Sequence, residues 1–324
     1  MISGGLDSIL AAKVIQGQGV EVIPLHFKIP FCHKVKDSSR QSALVKDNLG
    51  LDLVKVELEQ EFLEVLKNPR YGFGSNMNPC IDCKILMLSK AKSLMQEMGA
   101  DFVVTGEVLG QRPMSQHKQA LFLIPRRAGL EGLVVRPLCG RLLPATIPET
   151  EGWIKRDNLL NFSGRRRNPQ VDLAKELQIK DYAWPSGGCL LTDPGFSRRL
   201  KELIEYKGLT AQGVDLLKFG RHFRLSPYAK LIVGRDEQED NQLAGLAQAG
   251  DYIFMPPETA GSTALSRGDF SQSLIELSCR IIARYCDKPE GAKVKISYRA
   301  TEDKEEKILE VLPLDEAELE KMRV

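Results

Sequence analysis

The chain lacks any run of about eighteen apolar residues, the length that a membrane-spanning helix needs. No signal-peptide pattern precedes its first glycine turn, so a cytoplasmic protein without membrane partners is expected. Net charge is almost absent, +2 at pH 7 over 324 residues. A nucleic-acid partner therefore has to be argued from clusters of basic residues, not from the total. No Gly-x4-Gly-Lys-Ser/Thr arrangement occurs, which excludes a Walker A phosphate loop. What remains is an ordinary water-soluble composition, 43% hydrophobic and 27% charged, on a chain long enough for two packed domains. The 7 cysteines are poor material for a disulfide framework in a reducing compartment, so those that cluster point to metal or catalytic chemistry.

The glycine turn is Ser3-Gly4-Gly5-Leu6-Asp7-Ser8, and it runs straight into the helical pattern of residues 9–15. Glycines let backbone amides converge on one point, and the helix N-terminus adds its orphan donors and partial positive charge. A phosphate or pyrophosphate fits such a cradle. Ser3 and Ser8 can add hydroxyl donors, and Asp7 makes sense beside phosphate if it holds a magnesium ion. A tight turn with a capped helix would use the same residues. The hexapeptide resembles the signature of the PP-loop ATP pyrophosphatases, enzymes that cleave ATP to AMP and pyrophosphate while adenylating a substrate. In that family an apolar strand precedes the loop, whereas here only Met1 and Ile2 do. The expectation is a true start upstream or a trimmed chain, which puts the first, normally central, strand in doubt.

Residues 20–27 (VEVIPLHF) have the composition and length of a buried parallel strand. His26 and Phe27 would then sit at its carboxyl end, near a nucleotide bound where open α/β sheets bind ligands, or would simply finish a core strand. Helical spacing follows at Ser38–Leu49 and Glu59–Lys67, with a strand at residues 53–58 between them. The alternation predicts a doubly wound, mostly parallel α/β sheet of Rossmann type. Residues 68–78, polar and broken by glycine, are too long for a simple connector and form a candidate lid or binding loop. A strand at 101–105 delivers Thr105 and Gly106 to the carboxyl edge of the sheet. In PP-loop enzymes a Thr-Gly pair at this point approaches the nucleotide, with Gln111 and Arg112 here as neighbours. Residues 121–125 and 133–137 read as short strands about a basic turn at Arg126 and Arg127, and 149–160 as a helix.

Cys80 and Cys83 form a Cys-x-x-Cys pair at the start of a helix over residues 84–98, where the dipole lowers thiol pKa and suits redox chemistry or metal ligation. A third sulfur, Cys189, sits at the tip of an aromatic-glycine turn, residues 182–193. No histidine or fourth cysteine stands at a recognisable spacing from these three, although Cys32 and His33 keep zinc open. Three cysteines on a [4Fe-4S] cluster would leave one iron free for substrate. With Asn78-Pro79-Cys80-Ile81-Asp82-Cys83 and Gly187-Gly188-Cys189-Leu190-Leu191-Thr192-Asp193, residues 3–199 resemble the tRNA thiouridine synthetases of the PP-loop class, in particular short 4-thiouridine synthetase-like proteins. The resemblance implies an ATP-binding catalytic domain over 1–200. Ser3, Gly4, Gly5, Asp7, Ser8, His26, Phe27, Thr105 and Gly106 would be at ATP, Asp7 on magnesium, and Cys80, Cys83 and Cys189 on the cluster, with zinc or no metal as alternatives.

Basic residues gather at Arg165, Arg166 and Arg167 ahead of a helix, and again at Arg198 and Arg199. Each can fork onto a phosphate, and a solvated helix cap is the plainer account. Beyond residue 206 the βα alternation gives way to short strands and turns. Residues 233–243, 250–254 and 261–262 resemble the RNA-binding domain of ribosome quality-control factors, so 206–324 is expected to be a small α+β accessory domain. Arg221, His222, Arg224, Lys230 and Arg235 are its candidate phosphate contacts, with a solvated strand edge as the competing account. Helices are expected at 272–285 and 316–323 and a strand at 293–298. Cys279 and Cys286 should merely pack.

The expected activity is ATP-dependent tRNA sulfur transfer to uridine, at position 2 or 4. The expected partners are tRNA and a sulfur donor (inorganic sulfide, a cysteine desulfurase or a sulfur carrier), with a homodimer allowed. Two other readings stay open. One is a PP-loop adenylating enzyme acting on a non-RNA substrate by persulfide transfer; the other is a non-catalytic RNA-binding factor.

Overall fold

Helix α1, Leu6–Gln16, leaves the glycine turn with no intervening residue and is buried nearly all round through Leu6, Ile9, Leu10, Ala11, Ala12 and Ile15. Such a helix has to be covered on several sides. The computed structural model describes residues 1–31, 38–182, 189–287, 289 and 291–324, in two units, Met1–Asp193 and Pro194–Val324. The helix over 194–205 groups with the second unit. Residues Cys32, His33 and 183–188, including the two glycines before Cys189, lie outside the described residues.

In the first unit β1 (Leu25–Lys28) is followed by α2 (Ser38–Leu49) and by β2 (Val54–Glu57), which pairs with it in parallel. Next come α3 (Glu59–Lys67), α4 (Cys80–Glu97) and β3 (Val103–Val104). Helix α5 (Lys118–Arg127) carries the chain over to β4 (Val134–Val135), parallel to β3. A short α6 (Ile147–Thr150) and α7 (Asn168–Glu176) complete the unit. Met1 and Ile2 lie between the two strand pairs: the Ile2 amide donates to Leu25 O at 2.6 Å, and the Met1 ammonium donates to Val104 O at 2.8 Å. The unit is thus α/β with parallel pairs. Phe27, Leu88, Ala91 and Val103 share one core cluster, and α1 packs with Leu44, Val45 and Ala174 in another.

Three expectations change. Of residues 20–27 only the last three enter a strand; residues 20–25 instead line a cavity of about 310 Å³ facing residues 100–104. Residues 121–125 are helical, inside α5, with Pro125 in its last turns. Proline removes the amide that would bond the carbonyl four residues back; here that carbonyl, Leu121 O, accepts from Arg136 Nη2 at 2.9 Å. Residues 149–160 are not one helix, because Gly152 at φ +74 ends α6 after a single turn, and only a 3-10 turn, Arg156–Asn158, follows.

The second unit runs α8 (Pro194–Glu205), α9 (Ala211–Leu216), β5 (Arg221–Ser226), β6 (Ala229–Val233), α10 (Glu237–Gly245), β7 (Tyr252–Met255), β8 (Ala264–Gly268), α11 (Gln272–Ala283), β9 (Val294–Ala300), β10 (Lys307–Val311) and α12 (Glu316–Met322). Its six strands form one antiparallel sheet in the order β10-β9-β7-β8-β6-β5. Both faces are covered. Leu231 and Val233 join the cluster under α11, while Ile232 between them joins Leu216 and Leu243 from α9 and α10, as strand alternation requires. Cys279 and Cys286 are buried and pack there, and burial pushes the Cys279 thiol up to about 12. Among the described residues no helix is long and apolar enough to cross a membrane.

Candidate functional site

Gly5 caps α1 with no side-chain hydrogen bond to the first turn, which leaves that turn's amides without the usual side-chain acceptor. Gly4 turns at φ +79, a conformation few side chains adopt, and a Cβ there would come within 3.0 Å of Gln41 from α2. The serines close the loop on itself. Ser8 Oγ donates to Gly5 O at 2.8 Å, and Ser3 N donates to Ser8 Oγ at 3.2 Å.

The strand end at Thr105 and Gly106 meets this loop directly. A Cβ on Gly106 would stand 2.5 Å from the Asp7 carbonyl carbon and oxygen and 2.6 Å from Ser8 N, so only glycine permits the approach. Asp7 itself accepts from Gln111 Nε2 at 2.8 Å on Oδ2, and Arg167 Nη2 lies 3.8 Å from the same oxygen. Its Oδ1 is buried with no partner. A buried carboxylate oxygen left without a donor suits a cation, so Asp7 fits a magnesium ion.

His26 and Phe27 sit near the end of the strand, in the core. Phe27 is in the core; His26 is buried, with Nδ1 2.8 Å from Ile2 O and its pKa lowered by burial. Glu107, which the sequence did not single out, is central. It pairs with Lys84 of α4 on one oxygen, and its other oxygen accepts from Arg136 Nε at 2.9 Å and from Thr105 Oγ1 at 3.2 Å. Burial works to raise its pKa, but Lys84 and Arg136 prevail and hold it at about 2. Cys139 beside it is buried, donates to Glu107 O at 3.3 Å, and burial raises its pKa to about 11, which makes it inert.

The thiols lie on segments that hydrogen bonds bring together. Met77 N donates to Leu191 O at 3.1 Å, Asn76 Nδ2 to Thr192 O at 2.8 Å and Leu190 N to Phe31 O at 3.0 Å. Cys80, Cys83 and Cys189 are half-buried, and Cys80 Sγ donates to Asn78 Oδ1 at 3.0 Å. Three soft sulfur donors suit a thiophilic metal or cluster. Among the described residues no three His, Cys, Asp or Glu side chains stand around one point as a metal site. Lys84 sits one residue after Cys83, so its bond to Glu107 ties the thiol helix to the strand end that packs on the glycine loop.

The basic candidates divide. Arg165 and Arg166 are exposed, while Arg167 turns toward Asp7. In the second unit Arg224 and Lys230 both pair with Glu202, and Lys230 is 5% exposed with its pKa lowered to about 8 by burial. Both side chains are thus held against α8 by one carboxylate. His222 is buried too, and burial takes its pKa well below the usual value. Arg235 pairs with Glu239; Arg221 donates to Gly234 O at 2.9 Å and lies over the Tyr285 ring. Arg198 donates to Val324 O at 3.1 Å, and Arg199 to Leu217 O at 3.1 Å.

Comparison with known proteins follows the same division. Residues 1–142 match the family described as thiamine biosynthesis protein (ThiI), and residues 220–323 match the NFACT protein RNA binding domain. The chain is thus similar to the ThiI family over its first part and to the NFACT RNA-binding domain over its last. It is 32% identical over 146 residues to a probable tRNA sulfurtransferase of Thermococcus kodakarensis, covering 43% of this chain and 36% of that protein. It is 31% identical over 111 residues to the tRNA-specific 2-thiouridylase MnmA of Pelobacter propionicus, covering 32% and 31%. The chain spans about a third of the length of these relatives. A solved structure, the C-terminal part of the fibronectin/fibrinogen-binding protein of Streptococcus suis, aligns with 48% of this chain and 72% of that one. Its TM-score of 0.30 and 12% identity decide nothing about the fold. Cys189 and Arg167 fall outside both family matches.

Proposed function

We propose that the protein is an ATP-dependent tRNA sulfurtransferase that converts a uridine carbonyl to a thiocarbonyl, giving 2- or 4-thiouridine in the cytoplasm. The observation that carries the proposal is the physical link between two chemistries. The helix bearing Cys80 and Cys83 is bound through Lys84 to Glu107, and Gly106 beside it lies against the backbone of Asp7 and Ser8. The named activities of the relatives and the RNA-binding match at residues 220–323 support the same reading. In this reading the two parallel pairs, bridged by Met1 and Ile2, belong to one doubly wound sheet with the site at its carboxyl edge.

The glycine loop and the first turn of α1 bind the triphosphate, and Asp7 would hold magnesium, which neutralises phosphate charge when bound. Gly106 lets the loop and the strand end close on the nucleotide. The uridine oxygen attacks the α-phosphorus, the bond to the β-phosphate oxygen breaks, and pyrophosphate leaves. Sulfur then bonds to the ring carbon and AMP departs with the original oxygen. That sulfur arrives as hydrosulfide from an external donor and gives up its proton as the thiocarbonyl forms; Cys80, Cys83 and Cys189 would hold it, as ligands of a [4Fe-4S] cluster with one iron free. Arg165 and Arg166, exposed beside the site, contact the RNA backbone.

With ATP, magnesium, unmodified tRNA and sulfide, pyrophosphate release should depend on tRNA, and nucleoside mass spectrometry should show thiouridine. Asp7→Asn should abolish both. Pyrophosphate release that needs a carboxylate substrate and ignores tRNA would mean a non-RNA substrate, and tRNA binding without any release would mean a non-catalytic RNA factor. Anaerobically purified protein is expected to carry about four irons per chain and to lose them in Cys189→Ala. Zinc, or no metal with a trapped persulfide on one cysteine, would replace the cluster and leave the ATP and tRNA steps standing.

A further inference from the structure

Arg167 is the one member of its arginine triplet that faces the glycine loop. Arg165 and Arg166 are exposed to solvent, while Arg167, the N-cap residue of α7, brings Nη2 to 3.8 Å from Asp7 Oδ2. At 3.8 Å this is an ion pair beyond hydrogen-bond distance, and Oδ2 accepts instead from Gln111 Nε2 at 2.8 Å. Gln111 is itself steadied by Gln170 of α7, whose Nε2 lies 3.4 Å from Gln111 Oε1. Asp7 therefore receives two groups from the 163–170 region, one direct and one through Gln111, and still keeps Oδ1 buried and unpartnered.

A guanidinium keeps its charge at any physiological pH and forks onto phosphate oxygens. Where Asp7 holds a divalent cation, as the proposed function requires, the carboxylate is engaged by the metal and a cation 3.8 Å away loses its partner. A cation held by the same carboxylate repels the guanidinium, so Arg167 needs another anion within reach. The polyphosphate on the glycine loop is that anion. We infer that Arg167 is a phosphate-binding residue of the nucleotide site: it takes the β- and γ-phosphates of ATP and holds the pyrophosphate that they become, whereas Arg165 and Arg166 remain for RNA. The inference rests on the nucleotide reading of the loop.

The test uses the full chain without RNA. Magnesium-ATP, magnesium-pyrophosphate and AMP are titrated separately against wild type, Arg167→Ala, Arg167→Lys and an Arg165→Ala/Arg166→Ala double variant, with tRNA affinity measured in parallel. Arg167→Ala should weaken ATP and pyrophosphate about tenfold, the scale of one charge-assisted hydrogen bond, and leave AMP and tRNA unchanged. Lysine should restore part of the loss. The double variant should weaken tRNA alone. Equal weakening of AMP and ATP would make Arg167 a structural partner of Asp7 and overturn the inference. Loss of tRNA affinity with pyrophosphate untouched would return it to the RNA surface. Wild type that binds neither ATP nor pyrophosphate would sink the nucleotide reading, and this inference with it.

Discussion

Gly106→Ala is expected to remove ATP binding, by at least about tenfold, while leaving tRNA affinity intact. The added methyl would lie 2.5 Å from Asp7 C and O and 2.6 Å from Ser8 N. All three atoms are backbone, so no side chain can rotate aside. Either the glycine loop or the strand end of β3 must move, and overpacking of this kind costs about 1–3 kcal/mol. The cost falls where function is most sensitive, because an anion cradle works only when its amides point at one place. Gly17→Ala is the matched control. Gly17 has an ordinary φ of −61, and a Cβ there would meet its nearest atoms at 3.5 and 3.6 Å, so it should melt within about 0.5 kcal/mol of wild type. A thermal melt and an ATP titration on both variants decide the matter. Unchanged ATP affinity in Gly106→Ala would separate Thr105 and Gly106 from the nucleotide site.

What the sequence made legible is what short-range chemistry determines. The glycine turn opening α1, the cysteine pair opening α4, and the helices at Ser38–Leu49 and Glu59–Lys67 all stand where spacing and turn residues put them. The failures are long-range. Residues 121–125 look like a strand closed by proline, and the helix that forms there holds because Arg136, from beyond the next turn, caps the carbonyl that Pro125 leaves bare. Residues 149–160 have a helical composition, but Gly152 stops the turn. Arg224 and Lys230 look like exposed cations on basic strands; Glu202, 22 and 28 residues upstream on α8, pairs with both. No local pattern announces Glu107. A lone acidic residue after a Thr-Gly pair carries no signal until Lys84 and Arg136 are seen to converge on it.

Glu107→Gln is expected to be the most destabilising single change in the first unit. Glu107 stands between Lys84 and Arg136, and the Arg136 side chain is only 6% exposed. Neutralising the carboxylate leaves that guanidinium buried without a counter-charge, and breaking a buried pair in this way costs about 3–5 kcal/mol. The effect depends on pH in a definite direction. Because the folded carboxyl titrates at about 2, below its value of about 4.3 in an unfolded chain, its contribution is complete above that unfolded value. It is lost as pH falls from there toward 2. Stability measured by denaturant from pH 6 down to pH 3 should therefore drop more steeply in wild type than in Glu107→Gln, and the gap between them should narrow with acid. The loss should also reach the thiols, since Lys84 is the side chain that ties the cysteine helix to Glu107. Alkylation of Cys80 and Cys83 should quicken in the variant relative to Cys189. A variant that melts and alkylates like wild type would show that the triad carries no load, and that the thiol helix and the nucleotide loop are held together by apolar packing alone.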